Sequence, residues 1–459
     1  MSAPSACVAI LVAAAFAPGV VHAQPAPTSV SLQQAITYAR AHQPSIAAAR
    51  ARIEVARANA QVPRAAWSPR VTGAVEALIG TSNNTTASYA TVGIIDVARV
   101  GGTPANAPST WRPEPSTFAG VAVHQELYDF GRIDAQADAL DAFARSAEEV
   151  AKVAQLDLDL LVEESFYAVL GARAVLLASE AAVTRARAHH DFAQARVNAK
   201  LLPPIEVTRS DADLARFEVE RVRATGELAI AQAVLAAAIG SDAPALDAGS
   251  DDVTFGAPPP AVNGIRDAGE RAPELRSARD LLFAQQKITQ SIRDELRPDL
   301  SLSAELTGRA GGAAVATNPT PSGGGWVPDV PNWDALVVLN WPIFDRTVTA
   351  RAKTSERAEV VRAAEIAEVS EQLRTLAQRS YVELDLAAAA LPALQRSLDA
   401  ARANHDQAEA RFNGGLATAI ELSDAEALLT DAQIGLAIGQ FHLSRARARL
   451  ARVLAESTP

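Results

Sequence analysis

The chain contains itself twice, and that duplication limits its folds more than any other feature. Pro44 aligns with Pro273 and Pro69 with Pro298 at one common offset. "ELYDFGR" (Glu126–Arg132) resembles "PIFDRT" (Pro342–Thr347), matching Asp129 to Asp345. "ARVNAKLLPPIEVTRSDADL" from Ala195 matches "ARFNGGLATAIELSDAEALL" from Ala410, with Asn198 on Asn413 and Ile205 on Ile420. A repeat of this length means two copies of one supersecondary plan. The offset shortens between Pro69 and Asp129, so the first copy carries extra residues there. That interval holds Gly80–Pro115, rich in Gly, Pro, Ser, Asn and Thr, and its counterpart is the shorter Gly308–Asn332. Both are loop compositions.

Each half reads as a helix, a short strand, a long loop, a second strand and a very long helical hairpin. The long segments are Arg132–Lys200 and Arg346–Asn413. Each is about 70 residues and, at 1.5 Å per residue, reaches about 100 Å. The first holds only Gly171 as a breaker and the second only Pro392. Leu156, Leu160, Glu163, Tyr167, Leu170 and Ala174 fall at spacings of three and four, which predicts one buried helical stripe. Alanine accounts for much of the 49% apolar content, and it favours long helices in close contact over a thick core. The division expected is 24–245 for the first repeat, 246–264 for a linker and 265–459 for the second. "GSDAPALDAGSDDVTFGAPPPAVNG" (Gly240–Gly264) is too rich in Pro, Gly and Asp to be helical.

Four segments alternate instead. In Asp299–Leu306, Leu300, Leu302, Ala304 and Leu306 face one way and Ser301, Ser303 and Glu305 the other. In Trp333–Trp341, Trp333, Ala335, Val337, Leu339 and Trp341 share a face opposite Asp334 and Asn340. Arg70–Ile79 and Thr117–Leu127 alternate more weakly. Two readings fit: a soluble sheet with buried tryptophans, or transmembrane strands with Trp333 and Trp341 as membrane-interface anchors. Four strands cannot enclose a pore, so the second reading needs several chains in cyclic symmetry.

The N-terminus reads as a secretion signal over residues 1–23. An apolar run from Cys7 to Phe16 leads to Val21-His22-Ala23 before Gln24, although no basic residue precedes the run. Cys7 is the only cysteine, which excludes a disulfide framework and a cysteine metal site. No later stretch is expected to be apolar enough for a transmembrane helix, so any membrane crossing falls to strands. A net charge of −11 without a basic tract excludes a nucleic-acid partner. No phosphate loop, nucleophile elbow or zinc motif occurs, and no cofactor is called for. His189-His190 is a poor metal pair, because neighbours on a helix point apart.

The opening Ser31-Leu32-x-x-Ala35 with Pro44, the two strand-to-helix turns, and "RFNGGLATAIELSDAEALLTDAQ" occur in an order and duplication that resemble the TolC family of outer-membrane efflux proteins. The likeness runs over nearly all of the mature chain. It implies a homotrimer in the outer membrane, mainly α with a membrane β-barrel. Four strands per chain form a shared 12-stranded barrel, and long α-helical hairpins form a periplasmic cylinder. It also implies a passive exit duct, not an enzyme, serving an inner-membrane pump (RND or ABC type) through a periplasmic adaptor. The alternatives are a periplasmic helical-hairpin scaffold without its own pore and a secreted enzyme, which no motif supports.

Two regions follow. Gly414-Gly415 stops a helix and Pro203-Pro204 forbids its continuation, so Asn198–Pro204 and Asn413–Thr418 are hairpin tips. By resemblance these tips contact the adaptor, through Asn198, Leu201 and Pro203 in one copy and Asn413, Gly414, Gly415 and Leu416 in the other. Glu421 and Asp424 lie three apart on one helix face just beyond. By resemblance they form carboxylate rings that narrow the periplasmic entrance and favour cations; the other reading is a solvated helix face. In TolC an aromatic hydroxyl and a basic residue hold the entrance shut, and Phe412 and Ala417 stand at those positions here.

Overall fold

The computed structural model describes residues 29–81, 91–92, 95–96, 111, 113–249, 271–311 and 330–454. The expected signal, most of the linker and much of both long loops lie outside the described residues.

The elements run β1 (Ser29–Val30), α1 (Leu32–His42), α2 (Pro44–Arg64), β2 (Arg70–Thr81), β3 (Thr91–Val92), β4 (Ile95–Asp96), β5 (Pro113–Tyr128), α3 (Arg132–Asn198) and α4 (Ile205–Ile239). The second half follows with β6 (Asp247–Ala248), α5 (Pro273–Asp294), β7 (Asp299–Gly311), β8 (Val330–Asn340), α6 (Arg346–Asn413) and α7 (Ala419–Val453). The duplicated prolines take duplicated places. Pro44 and Pro273 open α2 and α5, where a missing N–H costs nothing. The duplicated aspartates cap. Asp129 accepts from the backbone N–H of Gly131 and Ile133 at the start of α3, and Asp345 from that of Thr347 at the start of α6.

α3 and α6, of 67 and 68 residues, are the two long rods. α3 lies in the middle of the layer. It packs against α2, α4, α5 and α7, while α6 packs against α5 and α7. α3 therefore buries more than the one stripe expected. Beside the half-buried stripe of Leu156, Leu160, Tyr167 and Leu170 it buries the large side chains of Leu158, Val162, Phe166 and Val169. Those four join Leu32, Ala35, Ile36 and Ala39 of α1 and Leu235 and Ile239 of α4 in the largest core. A parallel pair of β1 with β6, which the composition of the linker did not suggest, closes over it. Between α6 and α7, a Cβ on Gly439 would stand 2.3 Å from Leu394 Cδ1, so Leu394 packs over the bare backbone of that glycine.

One expectation is corrected. α3 and α4 both contain stretches long and apolar enough, by composition, to cross a membrane. Leucine, valine and isoleucine together with alanine produce that signal, and both helices are packed in the helical layer.

β2, β5, β7 and β8 form one antiparallel sheet in the order β2-β5-β7-β8. Strands β5 and β7 in particular run past the expected ends, into Pro113–Ser116 and Thr307–Gly311. There, ladder pairing to the neighbouring strand overrides loop-like composition. The small pair β3–β4 lies within the loop between β2 and β5.

Candidate functional site

The register turns the sequence alternation into two faces. Gly73 pairs with Val121, Val121 with Leu306 and Leu306 with Trp333. The next row is Val71, Val123, Ala304 and Ala335. Val71, Val75, Val121, Leu306 and Val337 on this face are all exposed. The opposite face carries Thr72, His124, Glu126, Ser301 and Ser303. His124 Nδ1 lies 3.1 Å from Ser303 Oγ, and Glu126 stands 3.8 Å from Arg132 and 3.7 Å from His124. A sheet whose apolar side is bare and whose polar side is hydrogen-bonded is built for lipid outside and water inside. Among the described residues the outer edges of β2 and β8 have no strand partner.

Trp333 is 73% exposed on the apolar face. Trp341, 58% exposed, stands one residue beyond the end of β8 and not within it. It has company there. Tyr128, Phe130, Ile343 and Phe344 are also exposed where the strands turn into helices. The sequence carries a signal for this cluster of three aromatics and one isoleucine: Tyr128 and Phe344 precede the matched aspartates of the repeat.

The two hairpin tips share one geometry. After α3, Leu201 N–H donates to Arg196 O at 2.9 Å and Lys200 N–H to Val197 O at 2.9 Å. After α6, Leu416 N–H donates to Arg411 O at 2.7 Å and Gly415 N–H to Phe412 O at 3.0 Å. Both are Schellman turns, with Lys200 and Gly415 in the left-handed region. Leu201 and Leu416 follow at equivalent places and project into solvent, 71% and 75% exposed.

Glu421 and Asp424 are both exposed on the first turns of α7, on one side of the helix from buried Leu422 and Ala425. Glu421 is not a free charge. Arg411, across the turn, stands 3.5 Å from its carboxylate and donates to Leu416 O at 3.3 Å. A basic residue at this tip therefore comes from α6, as Arg411, and not from the position of Ala417. Phe412 is buried. Its ring meets His189 edge-on at 5.0 Å and lies 5.5 Å from Phe192, so the end of α6 is fastened to α3 by aromatic contact. His189 is buried while its neighbour His190 pairs with Asp191 at 3.4 Å, on a different side of the helix.

The family model for outer membrane efflux proteins matches residues 35–241 and 264–456. The chain belongs to the outer membrane efflux protein family. As a member it is an outer-membrane protein, with its helical part on the periplasmic side. No curated protein sequence matches it significantly. Its fold is similar to that of the outer-membrane channel OprN, at 20% identity and TM-score 0.72 over 93% of this chain and 90% of that one. The CmeC outer membrane channel of Campylobacter jejuni superposes at 13% identity and TM-score 0.74, over 93% and 85%. The outer membrane protein VceC of Vibrio cholerae does so at 17% identity and TM-score 0.70, over 92% and 96%. At such identities the likeness is one of fold. It gives this efflux protein the architecture of an outer-membrane channel. Membership in a family of efflux proteins supports an efflux duct over the secreted enzyme and the poreless scaffold.

Proposed function

We propose that three copies close into one duct, a passive exit path from a periplasmic adaptor and an inner-membrane pump to the outside. The observation that carries this reading is the pair of unpartnered sheet edges beneath a bare apolar face. In lipid every backbone group must be paired, so a four-stranded sheet must join other copies. β2 and β8 run antiparallel to each other in the order of the sheet, so β8 of one copy can extend the ladder onto β2 of the next. The helical layer is open at the same two sides, α2 and α4 beneath β2 and α6 beneath β8. Exposed valines of α2 and α4 (Val55, Val62, Val219, Val222) and of α6 (Val360, Val361, Val382) lie along those sides.

In this reading Trp333 and Trp341 anchor the barrel at the two membrane interfaces. The tips at Asn198, Leu201, Pro203, Asn413, Gly414, Gly415 and Leu416 meet the adaptor, with the two exposed leucines as the apolar contacts. Glu421 and Asp424 ring the entrance, tempered by Arg411.

Single-channel recording of the detergent-extracted protein in planar bilayers, with its mass measured by light scattering, tests the duct. Discrete pores from a trimeric species are expected, with a cation preference that weakens in the double variant Glu421→Ala, Asp424→Ala. A preference unchanged in that variant removes the entrance assignment alone. A monomer without conductance overturns the duct.

A further inference from the structure

The seam between the two hairpins changes character along its length. At mid-length it is tight, where a Cβ on Gly171 of α3 would lie 3.3 Å from Phe441 Cβ of α7, and toward the strands it is ionic, with Arg445 and Arg449 of α7 donating to Glu164 of α3 at 3.0 and 2.7 Å. Toward the tips it is polar. There α7 presents Ser423, Glu426, Thr430 and Gln433, spaced three and four apart on one face. Ser423 Oγ donates to Asp213 Oδ2 of α4 at 2.7 Å. Arg185 Nη2 of α3 donates to Thr430 Oγ1 at 3.1 Å. Glu426 lies between those two links and is 5% exposed.

Charged groups act on Glu426 from every neighbouring helix: Arg185 from α3, Asp213 and Arg216 from α4, and Glu409 from α6. His189 is one turn from Arg185 on α3. It is 7% exposed, and its Nε2 has no hydrogen-bond partner. Asp213 and Glu206 of α4 and His190 of its own helix act on it, and Phe412 of α6 covers its ring. Arg185 Nε, Glu206 Oε2 and Gln433 Oε1 are buried without partners in the same seam. Buried ions without full pairing are costly, and the cost changes when one of them titrates.

We propose that this seam is a two-sided proton-sensitive joint, packed most tightly when Glu426 and His189 are both neutral, with the tips loosening when either becomes charged. Burial first, and then the carboxylates of Asp213 and Glu409, push Glu426 up to about 7 against the pull of Arg185 and Arg216. Burial pushes His189 below its ordinary 6.5, against Asp213 and Glu206. For a raised acid, the stabilisation is fully present below its unfolded value of 4.5 and is lost as pH rises through about 7. For a depressed histidine, it is present above 6.5 and is lost as pH falls through the lowered value. The two contributions overlap only in a mildly acidic window. The joint is a property of the single chain. Only its consequence for the width of the entrance rests on the duct reading.

The test places nitroxide labels on Leu201→Cys and Leu416→Cys in the full chain with Cys7→Ser, diluted among unlabelled copies. Pulsed electron paramagnetic resonance then reads the tip-to-tip distance distribution from about pH 5 to about pH 9. The narrowest distribution is expected below about pH 7, where Glu426 is neutral, and above the lowered value of His189, with broadening on both sides. Glu426→Gln should abolish the alkaline broadening and keep the acidic one, and His189→Gln should do the reverse. A wild-type distribution that does not change with pH overturns the joint. Alkaline broadening that survives in Glu426→Gln overturns the role of Glu426. A pH-dependent distance in a protein that forms no pores would keep the joint and sink the duct.

Discussion

Lys200 and Gly415 hold the same place in the two hairpin turns, and both take a left-handed backbone, at φ 59° and 73°. Glycine does this freely, while a side chain costs about 1–2 kcal/mol. The first tip therefore carries a strain that the second has shed. Lys200→Gly should leave stability unchanged or raise it by up to about 1 kcal/mol, since the added chain entropy partly offsets the relief. Gly415→Ala should lower it by about 1 kcal/mol. Thermal unfolding of the purified protein, followed by circular dichroism, reads both.

At Gly439 of α7 an added side chain would meet the end of the Leu394 side chain of α6. Gly439→Val drives methyl groups into Leu394 and should cost about 1–3 kcal/mol. Leu394→Ala in the same chain should recover part of that loss. A double-mutant cycle with no coupling between the two would show that the helices meet elsewhere.

Arg411 tempers Glu421 at the second tip. Arg411→Ala should strengthen the cation preference of the pore, read as a larger reversal potential across a salt gradient. The effect should shrink at high ionic strength, as both groups are about half exposed. If the preference weakens, Glu421 and Asp424 do not face the conduction path.

The faces of the sheet should respond oppositely to charge. Val75→Lys puts an ammonium on the apolar side and should disfavour membrane insertion by about 2–4 kcal/mol near the midplane. Thr72→Lys, on the other face, should insert normally and shift ion selectivity toward anions. Detergent-extracted yield and conductance distinguish the two. Equal loss in both would mean that the sheet does not sit in lipid.

Much of this architecture is legible in the sequence because the repeat supplies each reading twice. The extents of α3 and α6 follow from long runs broken only by Gly171 and Pro392, and the capping roles of Asp129 and Asp345 sit in the duplicated motif. Strand ends were harder to read. Pro113–Ser116 and Thr307–Gly311 have turn-like composition, and only pairing with a neighbour makes them strands. The core of α3 was half legible: periodicity finds one stripe, whereas a helix covered on several sides buries an adjacent one as well. Arg411 and Glu426 were invisible for a different reason. Their meaning comes from partners on other helices, Glu421 across a turn and Arg185 across a seam, and no spacing within one segment shows that.

The bare edges of β2 and β8 also set the order of events during biogenesis. In the proposed duct, a lone copy entering the bilayer would carry two rows of unmet backbone groups into hydrocarbon, so the insertion-competent particle would be one that has already met its fellows. The appearance of finished barrels should then rise more steeply than linearly with the supply of chains. At low expression, unjoined copies should accumulate in the periplasm, where their apolar faces need a holder until enough copies gather.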